Sequence, residues 1–156
     1  MRVLGVDFGE RRVGLAISDP TGTLASPLPT LQRRRGKKPP LRAMEEVARE
    51  QGAEAVVFGL PLNPRGDDTD WTREVRWVGE TLAARLGVPV HFLDERFTSA
   101  LAERHIRGLG LKKSRREDKG LVDAAAAVII LQTWLDRGPD TDLPTERDTP
   151  SGDGPK

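Results

Sequence analysis

The segment Arg2-Val3-Leu4-Gly5-Val6-Asp7-Phe8 has the pattern of a buried β-strand that carries a carboxylate near its end. In open α/β sheets, binding and catalytic groups gather at the carboxyl ends of the central strands. An acid that closes an otherwise apolar strand is therefore a candidate functional group. The segment predicts both a central strand and, at Asp7, a site at its end.

The residues that follow predict a mixed sheet. Residues 12–18 read as the hairpin partner of the first strand, and residues 23–31 as a third, edge strand, because Pro27 and Pro29 cannot donate to a ladder. Two later apolar runs, at 55–59 and 88–94, fit parallel strands. Helices are predicted between Pro40 and Gly52 and over residues 70–86, 98–107 and 118–137. This order predicts an α/β fold with a mixed five-stranded sheet, three antiparallel strands and then parallel ones, and helices on both faces.

The length of 156 residues suits one domain, which we place at residues 1–137. Residues 138–156 hold four prolines, five acids, two bases and one large aliphatic residue, which predicts a disordered acidic tail. Without this tail the chain is mildly basic, and this permits a nucleic-acid partner without demanding one.

Composition also limits the kinds of metal site that the chain could form. The chain has no cysteine and only two histidines, which disfavours a zinc site. Any metal would be held by carboxylate oxygens, and these suit Mg²⁺ or Mn²⁺. No stretch is long and apolar enough to span a membrane, and no signal peptide is visible, so we expect no membrane partner and a cytoplasmic location.

Two further acids stand out, Glu95 and Asp123. Glu95 follows the predicted strand 88–94 and so lies at the same sheet edge as Asp7. Asp123 precedes four alanines in the last predicted helix, and their small side chains would let this helix approach the sheet closely. Three carboxylates held together repel one another unless cations neutralise them. Two divalent ions about 3.5–4 Å apart are the usual arrangement for in-line phosphoryl displacement.

Each of these acids also has a simpler interpretation. Taken singly, an acid is more often a helix cap or a solvated surface residue than a metal ligand. The neighbouring Asp94 could pair with Arg96 or with another nearby loop base.

Four regions of the chain, in this order, resemble the YqgF/RuvX-type nucleases. They are VLGVDFG at 3–9 with VGLA at 13–16, VFGLPLN at 57–63, DERFTS at 94–99 and KGLVDAAAAVIIL at 119–131. These proteins are RNase H-like and are described as Holliday junction resolvase homologues and as nucleases that mature the end of small-subunit ribosomal RNA. The resemblance covers residues 2–135 and implies an RNase H-like fold.

The resemblance also implies specific residue roles. It places the metal-binding, catalytic acids at Asp7, Glu95 and Asp123. Related junction resolvases carry a fourth acid three residues before the last one, where this chain has Gly120. Lys119, one helical turn before Asp123, shares its face. We expect Lys119 to contact the scissile phosphate, although a solvated lysine at a helix start has the same pattern.

Basic loop residues are the other candidates for contact with nucleic acid. Short basic runs are usually just solvated, but in a nuclease they would bind the phosphate backbone without sequence choice. We also expect contacts from Arg96 and Asn63, which lie within the matching motifs. The basic candidates are Arg33, Arg34, Arg35, Lys37, Lys38, Lys112, Lys113, Arg115 and Arg116.

The sequence leaves several alternatives open. A similar strand-Asp-x-Gly turn opens actin-like and sugar kinases, although those enzymes need two such domains. A non-catalytic nucleic-acid-binding factor in transcription or ribosome assembly is a second alternative. Within the nuclease interpretation, the substrate could be branched DNA or a structured ribosomal RNA precursor. A resolvase cuts two strands and is expected to be a symmetric homodimer, whereas an RNA-trimming enzyme could be a monomer.

Overall fold

A computed structural model describes residues 1–33, 38–98, 119–139 and 142–143 of the chain, without the side chains of Phe97 and residues 119–123. The strands are β1 (Val3–Phe8), β2 (Arg12–Ser18), β3 (Ala25–Gln32), β4 (Ala55–Leu60), β5 (Val90–Asp94) and β6 (Asp142–Leu143). The helices are α1 (Leu41–Glu50), α2 (Asp70–Leu86) and α3 (Lys119–Arg137), with a short 3-10 helix at Glu95–Phe97. The helix predicted over 98–107 lies, apart from Thr98, outside the described residues.

The strands form one mixed sheet in the order β3-β2-β1-β4-β5-β6. The first three strands are antiparallel neighbours, and β4 and β5 continue the sheet parallel to β1. The α/β class, the mixed pairing and the edge position of the proline-containing β3 are confirmed. The expected number of five strands is wrong, because β6 adds a sixth, antiparallel to β5.

The sixth strand comes from the segment that the composition predicts to be disordered. The carboxylate of Asp142 contacts the imidazole Nδ1 of His91 and accepts a hydrogen bond from the indole Nε1 of Trp134. The His91 and Trp134 rings lie 4.6 Å apart between centroids. These side-chain contacts come from β5 and α3, so residues 142–143 are ordered by distant parts of the chain. Residues 142–143 thus form a strand within this segment, and the prediction of disorder for the rest of it stays a prediction.

Helices cover both faces of the sheet, as predicted, but with side chains of different size. Successive strand residues point to opposite faces. The face under α1 and α2 is filled by large side chains such as Phe58, Phe92 and Met44. The face under α3 is filled largely by small and β-branched residues, among them Val57 and Ala127. The two faces of the sheet therefore form separate cores.

Two glycines let α3 lie directly on the sheet. A Cβ atom at Gly5 would lie 2.6 Å from the Cβ of Leu131, and one at Gly59 would lie 2.4 Å from the Cδ1 of Ile130. Real Cβ atoms essentially never approach so closely, so any side chain at either position would push the helix away. Glycine at these two positions sets the separation between α3 and the sheet.

The direction of α3 follows from its contacts along β1. Near its C-terminal end, Gln132 binds the backbone of Thr23 and Ala25, beside the start of β1. The preceding residue, Leu131, and Ala127, one turn before it, lie over Gly5 in the middle of β1. The N-terminal turns of α3 therefore extend toward the carboxyl end of β1.

Candidate active site

Asp7 is a buried acid near the carboxyl end of β1. It stands opposite Gly14 on β2, and its side chain is on the same face as Gly5, two residues earlier in the strand. The residue is 6% exposed in a strand whose other members are apolar or glycine. Its carboxylate therefore lies on the α3 face, at the edge where the sequence predicts the site.

Glu95 reaches the same region from β5. It is the first residue of the 3-10 helix that follows this strand, and it is 3% exposed. Its carboxylate Oε2 lies 3.1 Å from the point where a Cβ atom of Gly59 would be. Gly59 belongs to β4, which lies between β1 and β5, so Asp7 lies in one of the strands that flank β4 and Glu95 directly follows the other. The absence of a side chain at residue 59 leaves room for the Glu95 carboxylate.

The third predicted acid, Asp123, lies in the N-terminal part of α3, which extends toward this edge. Its side chain is outside the described part of the structure, and so is that of Lys119. Among the described side chains, no three acids or histidines come close enough together to hold a metal ion. The predicted triad is thus described for two members, and the role of the third stays a prediction.

The two described acids form a donor set that fits a hard divalent cation. Each carboxylate is almost fully buried, and burial of two charged carboxylates on one face is costly unless positive charge or hydrogen bonds compensate it. Carboxylate oxygens are the ligands that Mg²⁺ and Mn²⁺ take in proteins. Asp7 and Glu95 are the described residues that could hold such an ion.

Asp94, adjacent to Glu95, pairs with Arg96, as one interpretation of the sequence predicts. The Arg96 Nε donates to both Asp94 oxygens, at 3.0 and 3.1 Å, and its Nη2 donates to Oδ2 at 2.7 Å. The Asp94 carboxylate also accepts from the Arg96 backbone N–H at 3.0 Å, which caps the 3-10 helix. Hydrogen bonding to Asp94 raises the pKa of the Arg96 guanidinium above its ordinary value.

The loop between β4 and α2 is held by its own polar groups. The Asn63 side-chain oxygen accepts from the backbone N–H groups of Arg65 and Asp67, each at 2.9 Å. The Arg96 Nη1 donates to the backbone carbonyl of Pro64 at 3.1 Å. Both Asn63 and Arg96 therefore make internal contacts, and their predicted contacts with nucleic acid stay predictions.

Arg33 differs from the other basic candidates because its side chain lies inside the protein. It is only 7% exposed and pairs with Glu74 at 2.9 Å. Its guanidinium carbon lies 4.8 Å from the centre of the Phe8 ring, which stacks on Trp71, and its Nη1 donates to the Gly9 carbonyl at 3.2 Å. These contacts fix the β1–β2 turn beside Asp7. They could not be predicted from the sequence, because a basic run is usually solvated.

The remaining basic candidates divide into two groups. Lys38 is exposed at the start of the segment before α1. Outside the described residues lie Arg34, Arg35, Lys37, Lys112, Lys113, Arg115 and Arg116. None of the helices in the described ranges is both long and apolar enough to cross a bilayer.

Comparison with known proteins places this arrangement in a family. Residues 1–137 match the family model described as RuvX, Holliday junction resolvase. The match spans every element that carries the site, from β1 to the end of α3. It ends before β6.

Relatives of similar length share much of the sequence. A protein of Anaeromyxobacter dehalogenans (strain 2CP-C), named "Putative pre-16S rRNA nuclease", is 45% identical over 137 residues, which cover 88% of this chain and 98% of the relative. A protein of the same name from Moorella thermoacetica is 42% identical over 137 residues, covering 88% and 96% of the two chains.

Solved structures show the same fold at lower identity. RuvC of T. thermophilus in complex with a Holliday junction substrate matches with a TM-score of 0.54 at 24% identity, covering 92% of this chain and all of that one. The fowlpox virus Holliday junction resolvase matches with a TM-score of 0.52 at 13% identity, covering 88% and 99%. These likenesses confirm the RNase H-like fold expected from the sequence.

Proposed function

The chain belongs to the RuvX family of Holliday junction resolvases, which are nucleases, and from this premise we propose that it is a metal-dependent endonuclease. It would hydrolyse phosphodiester bonds in structured nucleic acid. The observation that carries the metal dependence is the pair of buried acids, Asp7 in β1 and Glu95 directly after β5, on the two strands that flank β4. Two buried carboxylates at the carboxyl edge of central strands are the arrangement expected of such a site.

The proposed site assigns a role to each described acid. Asp7 and Glu95 would hold Mg²⁺ or Mn²⁺ through their carboxylate oxygens, with Asp123 as the third ligand. When bound, such ions supply Lewis-acid activation of the phosphate and of the attacking water. The protein contributes fixed positions, because Asp7 lies within a strand and Glu95 begins a capped helix. Ligands held this way need little reorganisation when the substrate binds.

The comparisons name two substrate classes: the family description names Holliday junctions, and the names of the relatives point to ribosomal RNA. The relatives at 42–45% identity carry a name that specifies the precursor of 16S ribosomal RNA. The two resolvase structures reported above are below 25% identity, and at that level a likeness supports the fold alone. We therefore propose a ribosomal RNA precursor as the first substrate to test and branched DNA as the second.

Two further properties belong to the same proposal. The protein would act in the cytoplasm, where precursor ribosomal RNA and chromosomal DNA are found in bacteria. If it cuts junctions, it would do so as a homodimer, since two strands must be cut symmetrically. A precursor-trimming activity would not require the second copy.

The decisive experiment measures cleavage of both substrates with Mg²⁺ and with Mn²⁺. We expect Asp7→Asn and Glu95→Gln each to lower the rate by more than about 100-fold, because even groups that only support metal ligands contribute about 10–100-fold. Glu45→Gln is the matched control, since Glu45 lies on α1, on the opposite face of the sheet, where it pairs with Arg49. This variant should cleave at the wild-type rate.

Two results would contradict the proposal. If Asp7→Asn and Glu95→Gln cleaved as fast as the wild type, the reaction would occur elsewhere. If the wild-type protein bound both substrates tightly but cut neither with either metal, it would be the non-catalytic binding factor instead. Binding is measured in the presence of chelator so that the two results stay separate.

A further inference from the structure

We propose that Arg96 is a positioning residue that fixes the carboxylate of Glu95, rather than a contact with nucleic acid. This inference rests on the proposed function, because it concerns one of the acids that would hold the metal. It differs from what the motif suggests, since an arginine beside a catalytic acid in a nuclease is expected to bind phosphate.

The contacts of Arg96 join it to Asp94, on the other side of Glu95 in the chain. Its guanidinium turns back to Asp94 through three hydrogen bonds of 2.7–3.1 Å, and its backbone N–H bonds to the same carboxylate. Residues 94 and 96 are therefore locked together, with Glu95 between them. The backbone of Glu95 is fixed at its N-terminal side, and its side chain is directed to the buried position over Gly59.

Thr98 fixes the other side of Glu95. The Glu95 carbonyl accepts hydrogen bonds from the Thr98 backbone N–H at 3.1 Å and from its hydroxyl at 2.9 Å. With both flanks bound, the Glu95 backbone has little freedom to rotate. Its carboxylate can then stay in place without depending on a bound ion.

A second set of contacts anchors residues 94–96 to the rest of the protein. The Arg96 Nη1 donates to the carbonyls of Asn63 and Pro64, at 3.4 and 3.1 Å, in the loop that follows β4. A Cβ atom at Gly66 would lie 3.2 Å from the Arg96 Nη2, so the same loop packs closely against the guanidinium. The loop is itself tied to α2, because the Thr72 hydroxyl donates to the Pro61 carbonyl. Arg96 thus joins the end of β5 to the end of β4.

These contacts leave little of Arg96 for a phosphate. A guanidinium has five N–H donors in a fixed fork, and Nε, Nη1 and Nη2 all take part in the bonds described. A phosphate could take the fork only by displacing the largely buried Asp94 carboxylate, which would then lose its charged partner. Leaving a charged group buried without its partner is costly. The geometry therefore favours a permanent internal role.

The test compares Arg96→Gln with Arg76→Gln. Arg76 is a matched control, because it pairs with Asp68 of the same loop through Nε and Nη2, at 2.8 and 3.2 Å, where Arg96 pairs with Asp94. We expect Arg96→Gln to weaken Mn²⁺ binding by about 10–100-fold, as the loss of groups that support metal ligands does. The measurement is electron paramagnetic resonance of Mn²⁺ on the protein without nucleic acid. Arg76→Gln should bind Mn²⁺ like the wild type.

Kinetics and salt dependence supply the second readout. A positioning role predicts a lower kcat with an unchanged KM, and an unchanged slope of nucleic-acid affinity against salt concentration. A phosphate contact predicts the reverse: a higher KM, the wild-type kcat and Mn²⁺ affinity, and a salt slope reduced by about one. That second pattern would overturn the inference.

Further variants protect the test against misfolding and against failure of the proposed function. Asp94→Asn should reproduce the Arg96→Gln defect, and the double variant should be little worse than either one, because both remove the same contact. Additive effects of the two substitutions would contradict the inference. If Arg96→Gln does not fold, Arg96→Lys is measured in its place. If Glu95→Gln left Mn²⁺ binding and cleavage intact, the proposed function would fail. If Glu95→Gln were defective but Arg96→Gln were not, only the inference about Arg96 would fail.

Discussion

The two faces of the sheet are built from alternate residues of the same strands, yet they differ in what they contribute. Under α1 and α2, large side chains such as Phe58 and Leu82 fill the core completely. Under α3, glycine and alanine allow close approach, and the buried acids Asp7 and Glu95 lie at the edge. We therefore expect the first face to supply most of the stability, while on the second face close packing accompanies the buried acids.

The largest effect is expected from the face that supplies stability. Phe58→Ala should lower the free energy of unfolding by about 3–5 kcal/mol, because it leaves a cavity against Phe92, whose ring centre lies 6.2 Å away. Urea denaturation of wild type and variant measures this loss. A loss below about 1 kcal/mol would show that this core is not the main source of stability.

The next largest effects are expected from alanine substitutions at two glycines, one on each face of the sheet. Gly59→Ala should lower activity by up to about 100-fold, because its Cβ would press on Ile130 and on the Glu95 carboxylate, and a shift of about 1 Å can cost that much. Gly79→Ala on α2 places a Cβ 2.9 Å from the Phe92 ring, so overpacking should lower stability by about 1–3 kcal/mol, offset partly by the higher helix propensity of alanine.

Both glycine variants are assayed for cleavage and for urea unfolding. Gly79→Ala should cleave at the wild-type rate per folded molecule. The proposed difference between the two faces would be contradicted if Gly79→Ala lost as much activity as Gly59→Ala. It would also be contradicted if Gly59→Ala were fully active.

Much of the sheet and two of the site acids could be predicted from the sequence. Apolar runs located β1, β4 and β5 to within about two residues, because buried strands need continuous apolar residues. Asp7 and Glu95 could be predicted because each stands next to such a run. The role of Gly59 could not, since nothing in the residues 55–60 shows which side chain will lie above the glycine. The burial of Arg33 was missed because its partners, Phe8, Trp71 and Glu74, are distant in sequence.

A smaller effect distinguishes the two kinds of basic residue. Arg33→Ala should lower the free energy of unfolding by about 1–3 kcal/mol, through the loss of its bonds to Glu74 and Gly9 and its packing on Phe8. Exposed Lys38 should behave oppositely: Lys38→Ala should leave stability unchanged and reduce the salt slope of nucleic-acid binding by about one. Urea unfolding and a salt titration of binding check both. If Arg33→Ala had the stability of the wild type but a reduced salt slope of nucleic-acid binding, Arg33 would instead be a phosphate contact.

The smallest effect concerns the turn that anchors the C-terminal end of α3. Hydrogen bonds from the Thr21 hydroxyl and the backbone N–H groups of Leu24 and Thr23 hold the pKa of Asp19 well below its ordinary value of 3.8. Because the pKa is lowered by folding, this stabilisation is present at neutral pH and declines as the pH falls below about 4. The stability advantage of the wild type over Asp19→Asn should therefore shrink between pH 6 and pH 3. Thermal unfolding across that range measures it, and a constant or growing difference would contradict this assignment.

The pairing of β6 with β5 has a consequence for how the protein behaves at high concentration. A sheet edge with unpaired N–H and C=O groups is a template for pairing with another chain. Here β3 limits that hazard at one edge through Pro27 and Pro29, and residues 142–143 cover the other. A protein shortened to Arg137, the end of the family match, would keep every predicted site residue but expose the outer edge of β5. We would expect such a protein to pair with other chains along β5, and residues 142–143 to limit that pairing.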